Sequence, residues 1–83
     1  MFYVYVLKSC VDNKLYVGHT ADLKRRITEH NAGKTKSTKL RRPFILVYYE
    51  ACNILMDAIE REHSLKTGFG RRYLKNRLSD ISN

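Results

Sequence analysis

Apolar and aromatic residues come in short bursts along this chain, and the spacing inside each burst predicts a local structure. Phe2 to Leu7 is β-branched and aromatic, which predicts a strand with Tyr3 and Tyr5 on one face and Phe2, Val4 and Val6 on the other. Val11-Asp12-Asn13-Lys14 has turn chemistry, because Asp and Asn tolerate left-handed backbone and bond back to it. Leu15 to Gly18 returns as a second strand, and the hairpin sets Tyr16 beside either Tyr5 or Tyr3. A helix is expected from Thr20 or Ala21, with Thr20 as N-cap, Leu23 and Ile27 as its apolar stripe and Gly33 as its stop.

Lys34 to Pro43 is polar, basic and without periodicity, so it reads as a mobile loop whose proline brings the next element in extended. Phe44 to Glu50 is a continuous apolar and aromatic run, expected to be the central, best-buried strand. Asn53 is positioned to cap a second helix that runs to Thr67 and closes at Gly68. A short third helix follows from Gly70 to Leu78, packing through Tyr73, Leu74 and Leu78, with Ser79 to Asn83 frayed. The order β-β-α-β-α-α predicts a small α/β (α+β) domain, a three-stranded, mainly antiparallel sheet flanked by helices.

Length changes little in this picture: 83 residues make a single domain with one modest core. Met1 to Leu7 lacks the pattern of a signal peptide, and no apolar run approaches the roughly 20 residues that span a bilayer. Cys10 and Cys52 have no metal-ligand spacing and are too few for a disulfide scaffold, so free thiols in a cytoplasmic protein are expected.

Charge changes more. Lys and Arg number 16 against 8 Asp and Glu, a formal net charge of +8. The cations bunch into three groups: Lys24, Arg25 and Arg26; Lys34, Lys36, Lys39, Arg41 and Arg42; and Arg71, Arg72, Lys75 and Arg77. Bunched positive charge favours a nucleic acid, DNA or RNA, because phosphate neutralisation with counterion release supplies binding energy.

Helical geometry then separates the candidate chemistry. At about 100° per residue, Arg26 and His30 lie on the flank of the Leu23/Ile27 stripe, whereas Arg25 points to solvent. Arg26 either covers the core edge with its aliphatic stem or serves whatever the hairpin presents. His30 alone fits a packing or capping role as well as a catalytic one. Leu55, Ala58, Ile59 and Leu65 form the inward stripe of the second helix, and Glu62 falls near its middle. A carboxylate there needs a cation, which leaves an ion pair with Arg26 or another base, or a role as Mg²⁺ ligand. Tyr5 and Tyr16 gain interest only if they converge near Arg26 and Glu62, where a phenol with a pKa lowered by cations acts as a base on water.

Taken in order, these residues resemble the GIY-YIG nuclease domain, and most closely its small stand-alone bacterial members. Tyr3-Val4-Tyr5 stands at the first motif and Tyr16-Val17-Gly18 at the second. Thr20, Leu23-Lys24-Arg25-Arg26 and His30 match the first helix, and Ala58 to Lys66 matches the segment with the metal-binding glutamate. The resemblance implies a metal-dependent endonuclease hydrolysing phosphodiesters in DNA, structured or damaged, in repair or recombination. Glu62 would bind Mg²⁺ or Mn²⁺, Arg26 would clamp the phosphate, Tyr5 or Tyr16 would be the base, and His30 would support by hydrogen bonding. Two departures stand out: Tyr3 replaces the first motif's glycine, and an asparagine found late in many members has no clear match, with Asn76 in the right region. DNA would be held by Lys34, Lys36, Lys39, Arg41 and Arg42 of the loop and by Arg71, Arg72 and Lys75, the protein acting as a monomer or weak dimer. The alternative is a non-catalytic nucleic-acid-binding module of the same fold.

Overall fold

Strand β1 (Phe2–Ser9) is the centre of the sheet, paired antiparallel with β2 (Leu15–Thr20) on one edge and with β3 (Phe44–Cys52) on the other. The structure, a computed structural model, describes residues 1–78; the fraying expected for Ser79 to Asn83 lies outside the described residues. Three helices complete the fold: α1 (Leu23–Asn31), α2 (Leu55–Leu65) and α3 (Gly68–Arg77). The architecture is therefore the α+β arrangement expected, with every strand pairing antiparallel. Among the described residues no helix is long and apolar enough to cross a membrane.

The sheet divides the interior into two small cores. Val4 and Val6, with Val17, pack under Ala58, Leu65 and Leu74 of α2 and α3. Tyr5 and Leu7 face the other way, with Phe44, Tyr16, and Leu23 and Ile27 of α1. This is the period-2 alternation of β1 realised on both faces, and it leaves Val4, Val6 and Leu7 fully buried and Tyr5 1% exposed.

The expectation that Phe44 to Glu50 forms the central strand is corrected here: β3 is an edge strand, with Ile45 and Tyr49 exposed. A β-bulge explains the misleading run. Val6 pairs with Tyr48 but Leu7 pairs with Leu46, so Val47 is an extra residue and the inward parity of β3 switches there. Phe44 and Leu46 serve one core, while Val47 and Tyr48 serve the other.

Helix boundaries also shift. Asp22, not Thr20, caps α1, accepting from the Arg25 N–H at 3.1 Å; Thr20 instead accepts from the Asp22 N–H at 3.1 Å and shapes the entry. Gly33, at φ 77°, ends α1 as its left-handed freedom suggests. Asn53 does not cap α2, whose N-cap is Ile54 with no side-chain bond. Gly68 opens α3 rather than closing α2, and Thr67 caps it through the Gly70 N–H at 3.2 Å. On α2, Ala58 and Leu65 are buried, but Leu55 and Ile59 of the expected stripe are 44% and 39% exposed.

The basic segment after Gly33 is built, not simply a polar loop. A turn of 3₁₀ helix (Lys39–Arg41) follows Thr38, which is fully buried against α1. Cys10 and Cys52 are free thiols.

Candidate active site

Hairpin register fixes the first element of the site. Tyr5 stands opposite Gly18, and Leu7 stands opposite Tyr16, so the two tyrosines lie on one face as diagonal neighbours with ring centroids 6.4 Å apart. Tyr3 pairs with Thr20 instead. The Tyr5 ring lies directly over Gly18: a Cβ there would sit 2.5 Å from the Tyr5 hydroxyl oxygen. The glycine is required by a side chain lying on it.

α1 closes over this face and delivers His30, fully buried, with its ring 5.8 Å from Tyr5 and 5.0 Å from Tyr16. Both ring nitrogens are bonded. Nε2 lies 2.9 Å from the Tyr5 hydroxyl and Nδ1 lies 2.8 Å from Thr38 Oγ1. The Thr38 hydroxyl donates to the Thr35 carbonyl at 3.4 Å, so it accepts from His30 Nδ1–H. Nε2 is then the acceptor, and the Tyr5 O–H donates to it. Burial, with the Arg26 guanidinium second, pushes the His30 pKa below its ordinary value, which keeps the ring neutral and able to take a proton.

Arg26 borders the same face. Its guanidinium bonds Glu29 Oε1 at 3.2 Å, and its charge reaches the Tyr5 hydroxyl without displacing His30 as the bonded partner. The expectation that cations lower this phenol's pKa is corrected for Tyr5. Burial pushes it up, Arg26 pulls it down by less, and Tyr16 and Glu62 add to the rise. Tyr5 is a protonated phenol whose proton already has an acceptor.

Glu62 reaches the site from the opposite layer. Its side chain is 18% exposed, and its two oxygens accept from His19 Nδ1 at 2.5 Å and Lys66 Nζ at 2.6 Å. Burial raises its pKa, but Lys66 and His19 together outweigh that, and the carboxyl sits below its ordinary value. The ion-pair partner is therefore His19 and Lys66, not Arg26. His19 follows from strand alternation: it shares the Val17 face, towards α2, and stands opposite Val4.

The structure thus gathers Tyr5, Tyr16, His30 and Arg26 on one side of β2 and brings Glu62 in through His19 from the other. Residues 1–77 match the GIY-YIG catalytic domain. The chain belongs to the GIY-YIG family. It is 47% identical over 74 residues to a UPF0213 protein of Staphylococcus haemolyticus, spanning 88% of this chain and 89% of that one. A UPF0213 protein of Haloquadratum walsbyi is 44% identical over 66 residues, spanning 78% and 73%. The solution NMR structure of a UPF0213 protein from Bacillus halodurans is similar at a TM-score of 0.57 and 35% identity, covering 92% of this chain and 84% of that one.

Within this GIY-YIG domain a divalent cation would have one protein carboxylate to use. No group of three or more His, Cys, Asp or Glu side chains converges among the described residues. An ionised, half-buried carboxylate fits a hard cation that keeps waters and substrate oxygens as its other ligands. Both Glu62 oxygens now face hydrogen donors, so a cation would take the place of His19 or Lys66 on one of them.

The basic groups divide. Arg41 is tied to Asp12 at 2.8 Å and lies over the Phe44 ring, and Arg25 and Arg26 share Glu29. Lys34, Lys36, Lys39 and Arg42 are exposed around the loop, and Arg71, Arg72 and Lys75 on α3. Arg71 stands in the same cleft as Tyr16. Asn76 is exposed on α3. Sequence reasoning missed His19, Thr38 and Lys66; alternation along β2 could have flagged the first, and a Lys four residues after Glu62 on one helix face could have flagged the last.

Proposed function

We propose that this chain is a metal-dependent endonuclease that hydrolyses phosphodiester bonds in DNA. The observation that carries the reading is the bond from the Tyr5 hydroxyl to neutral His30 Nε2, next to the Arg26 guanidinium. Arg26 holds the non-bridging oxygens of the scissile phosphate. As water forms its bond to phosphorus, its proton passes to the Tyr5 oxygen while the Tyr5 proton passes to His30 Nε2, and the P–O bond to the leaving sugar oxygen breaks, that oxygen taking a proton from solvent. Thr38 holds the imidazole in the tautomer that can accept, and the imidazolium formed has Glu29 nearby as a compensating charge. Glu62 is the residue that would hold Mg²⁺ or Mn²⁺, which supplies charge stabilisation to the phosphoryl oxygens when bound. Tyr16, flanking the His30 ring, limits access to the relay. Structured or damaged DNA, in repair or recombination, is the expected setting.

A second reading has its own support. Tyr5 is 1% exposed and both Glu62 oxygens are already bonded, as in a nucleic-acid-binding module that retains the fold without turnover. Nicking of supercoiled plasmid separates the two. The nuclease cuts with Mg²⁺ and not with EDTA, and Glu62→Gln and His30→Ala abolish cutting. Absence of cutting with salt-sensitive DNA binding intact would establish the module instead.

A further inference from the structure

Two open clefts run side by side along β2, and they share residues. The first, about 200 Å³, is lined by Tyr16, Val17, Lys66 and Arg71 among others. The second, about 450 Å³, is lined by Asn13, Lys14, Leu15 and Arg71. Arg71 is the common wall, and no carboxylate lines either cleft. β2 is an edge strand, so no further strand obstructs the approach.

We infer that this edge is the track for the DNA strand beside the scissile phosphate, with Lys66, Arg71 and Lys14 holding successive backbone phosphates. The proposal rests on the endonuclease reading for its anchor at Tyr16 and Glu62, but its charge argument is separate. Of the cation groups, those on α1 and the loop are partly cancelled, Arg25 and Arg26 by Glu29 and Arg41 by Asp12. Lys14 and Arg71 form no ion pair among the described residues. What sets β2 apart is placement: Lys14 and Arg71 line adjoining clefts that reach Tyr16 and hold no carboxylate. Lys66, bonded to Glu62 at 2.6 Å, joins the site to the track. Lys14 stands immediately before β2, two residues ahead of Tyr16, so the clefts run from Tyr16 towards the hairpin turn. The strand therefore leaves the site towards the hairpin turn, and the protein contacts one side of the cut more than the other.

Binding of a fluorescein-labelled DNA duplex, followed by anisotropy in EDTA across a salt series, tests this without turnover. Lys14→Ala/Arg71→Ala should weaken binding, and the slope of log K against log salt should become shallower by about 1.8, two contacts at about 0.9 each. Arg77→Ala is the control, since Arg77 lies on the flank of α3 that carries Tyr73, away from β2. It should leave the slope unchanged. An unchanged slope in the double variant, or an equal change in the control, overturns the track. If wild-type protein never cuts DNA yet the double variant shows the expected slope, the nuclease reading fails and the track stands. Cutting with an unmoved slope gives the reverse.

Discussion

Gly18→Ala isolates the contact on which the site is built. The backbone at 18 is not in the left-handed region, since Gly33 is the glycine with positive φ among the described residues. A methyl group there meets no backbone strain and would even gain about 0.5–1 kcal/mol over glycine in a strand interior. It meets the Tyr5 ring instead, 2.5 Å from the hydroxyl oxygen and 2.7 Å from Cζ. Comfortable carbon contacts are about 3.5–4.0 Å, so the ring must retreat by about 1 Å. The pocket of Leu7, Phe44 and Tyr16 leaves no room for that, and the 2.9 Å bond to His30 lengthens or breaks. Overpacking costs about 1–3 kcal/mol and the lost hydrogen bond about 0.5–1.5 kcal/mol. The net expectation is a loss of about 2 kcal/mol, a fall in Tm of about 10 °C for a domain of this size. Urea denaturation followed by far-UV circular dichroism reads it. In a Tyr5→Phe background the clash with oxygen is gone and only the ring contact remains, so the same substitution should cost about 1 kcal/mol less. Nicking activity should fall by about 100-fold, the effect of displacing a reacting group by an ångström. A Gly18→Ala protein as stable as the parent, or equally destabilised in both backgrounds, would refute the packing argument.

Thr38→Val keeps shape but leaves His30 Nδ1–H without an acceptor, and should destabilise by about 1–3 kcal/mol in urea titrations; Thr38→Ser should restore most of it. Glu62→Gln should abolish metal-dependent nicking while DNA affinity in EDTA stays within about two-fold, as expected when one carboxylate is the hard ligand. Acid should act through His30. Its folded pKa lies below the ordinary 6.5, so below that value the unfolded chain binds a proton the folded one refuses. Stability therefore falls as pH drops through 6.5 towards the folded value, and is fully present above 6.5. The difference in urea midpoint between wild type and His30→Gln should shrink between about pH 7 and pH 5; a constant difference would mean that folding leaves the His30 pKa unshifted.

Much of the fold was legible because local pattern and global structure agree along β1, β2 and the inward stripe of α1. Glu62 stood out as a carboxylate in an apolar stripe, and Arg26 as the cation at a core edge, on helical spacing alone. What failed required knowledge of pairing. The run from Phe44 to Glu50 looks buried on both sides because the bulge at Val47 switches its inward face halfway, which no one-dimensional period can show. Thr38 reads as one more polar loop residue until His30 is known to need a partner for Nδ1. Glu62 could be seen to require a cation, but which one depended on the register that sets His19 opposite Val4 and towards α2.

The division of the interior by the sheet has a consequence in time. Tyr5, Tyr16, Arg26, His30 and Thr38 all lie in the first half of the chain, on or beside α1, and the last wall of their pocket, Phe44, follows shortly after. Glu62 belongs to the layer that α2 and α3 close on the far side of the sheet. A ribosome therefore delivers the phosphate-holding half of the proposed machinery first and the cation-holding half last. A chain interrupted midway would carry only part of that proposed centre, which is complete only once the final helices dock.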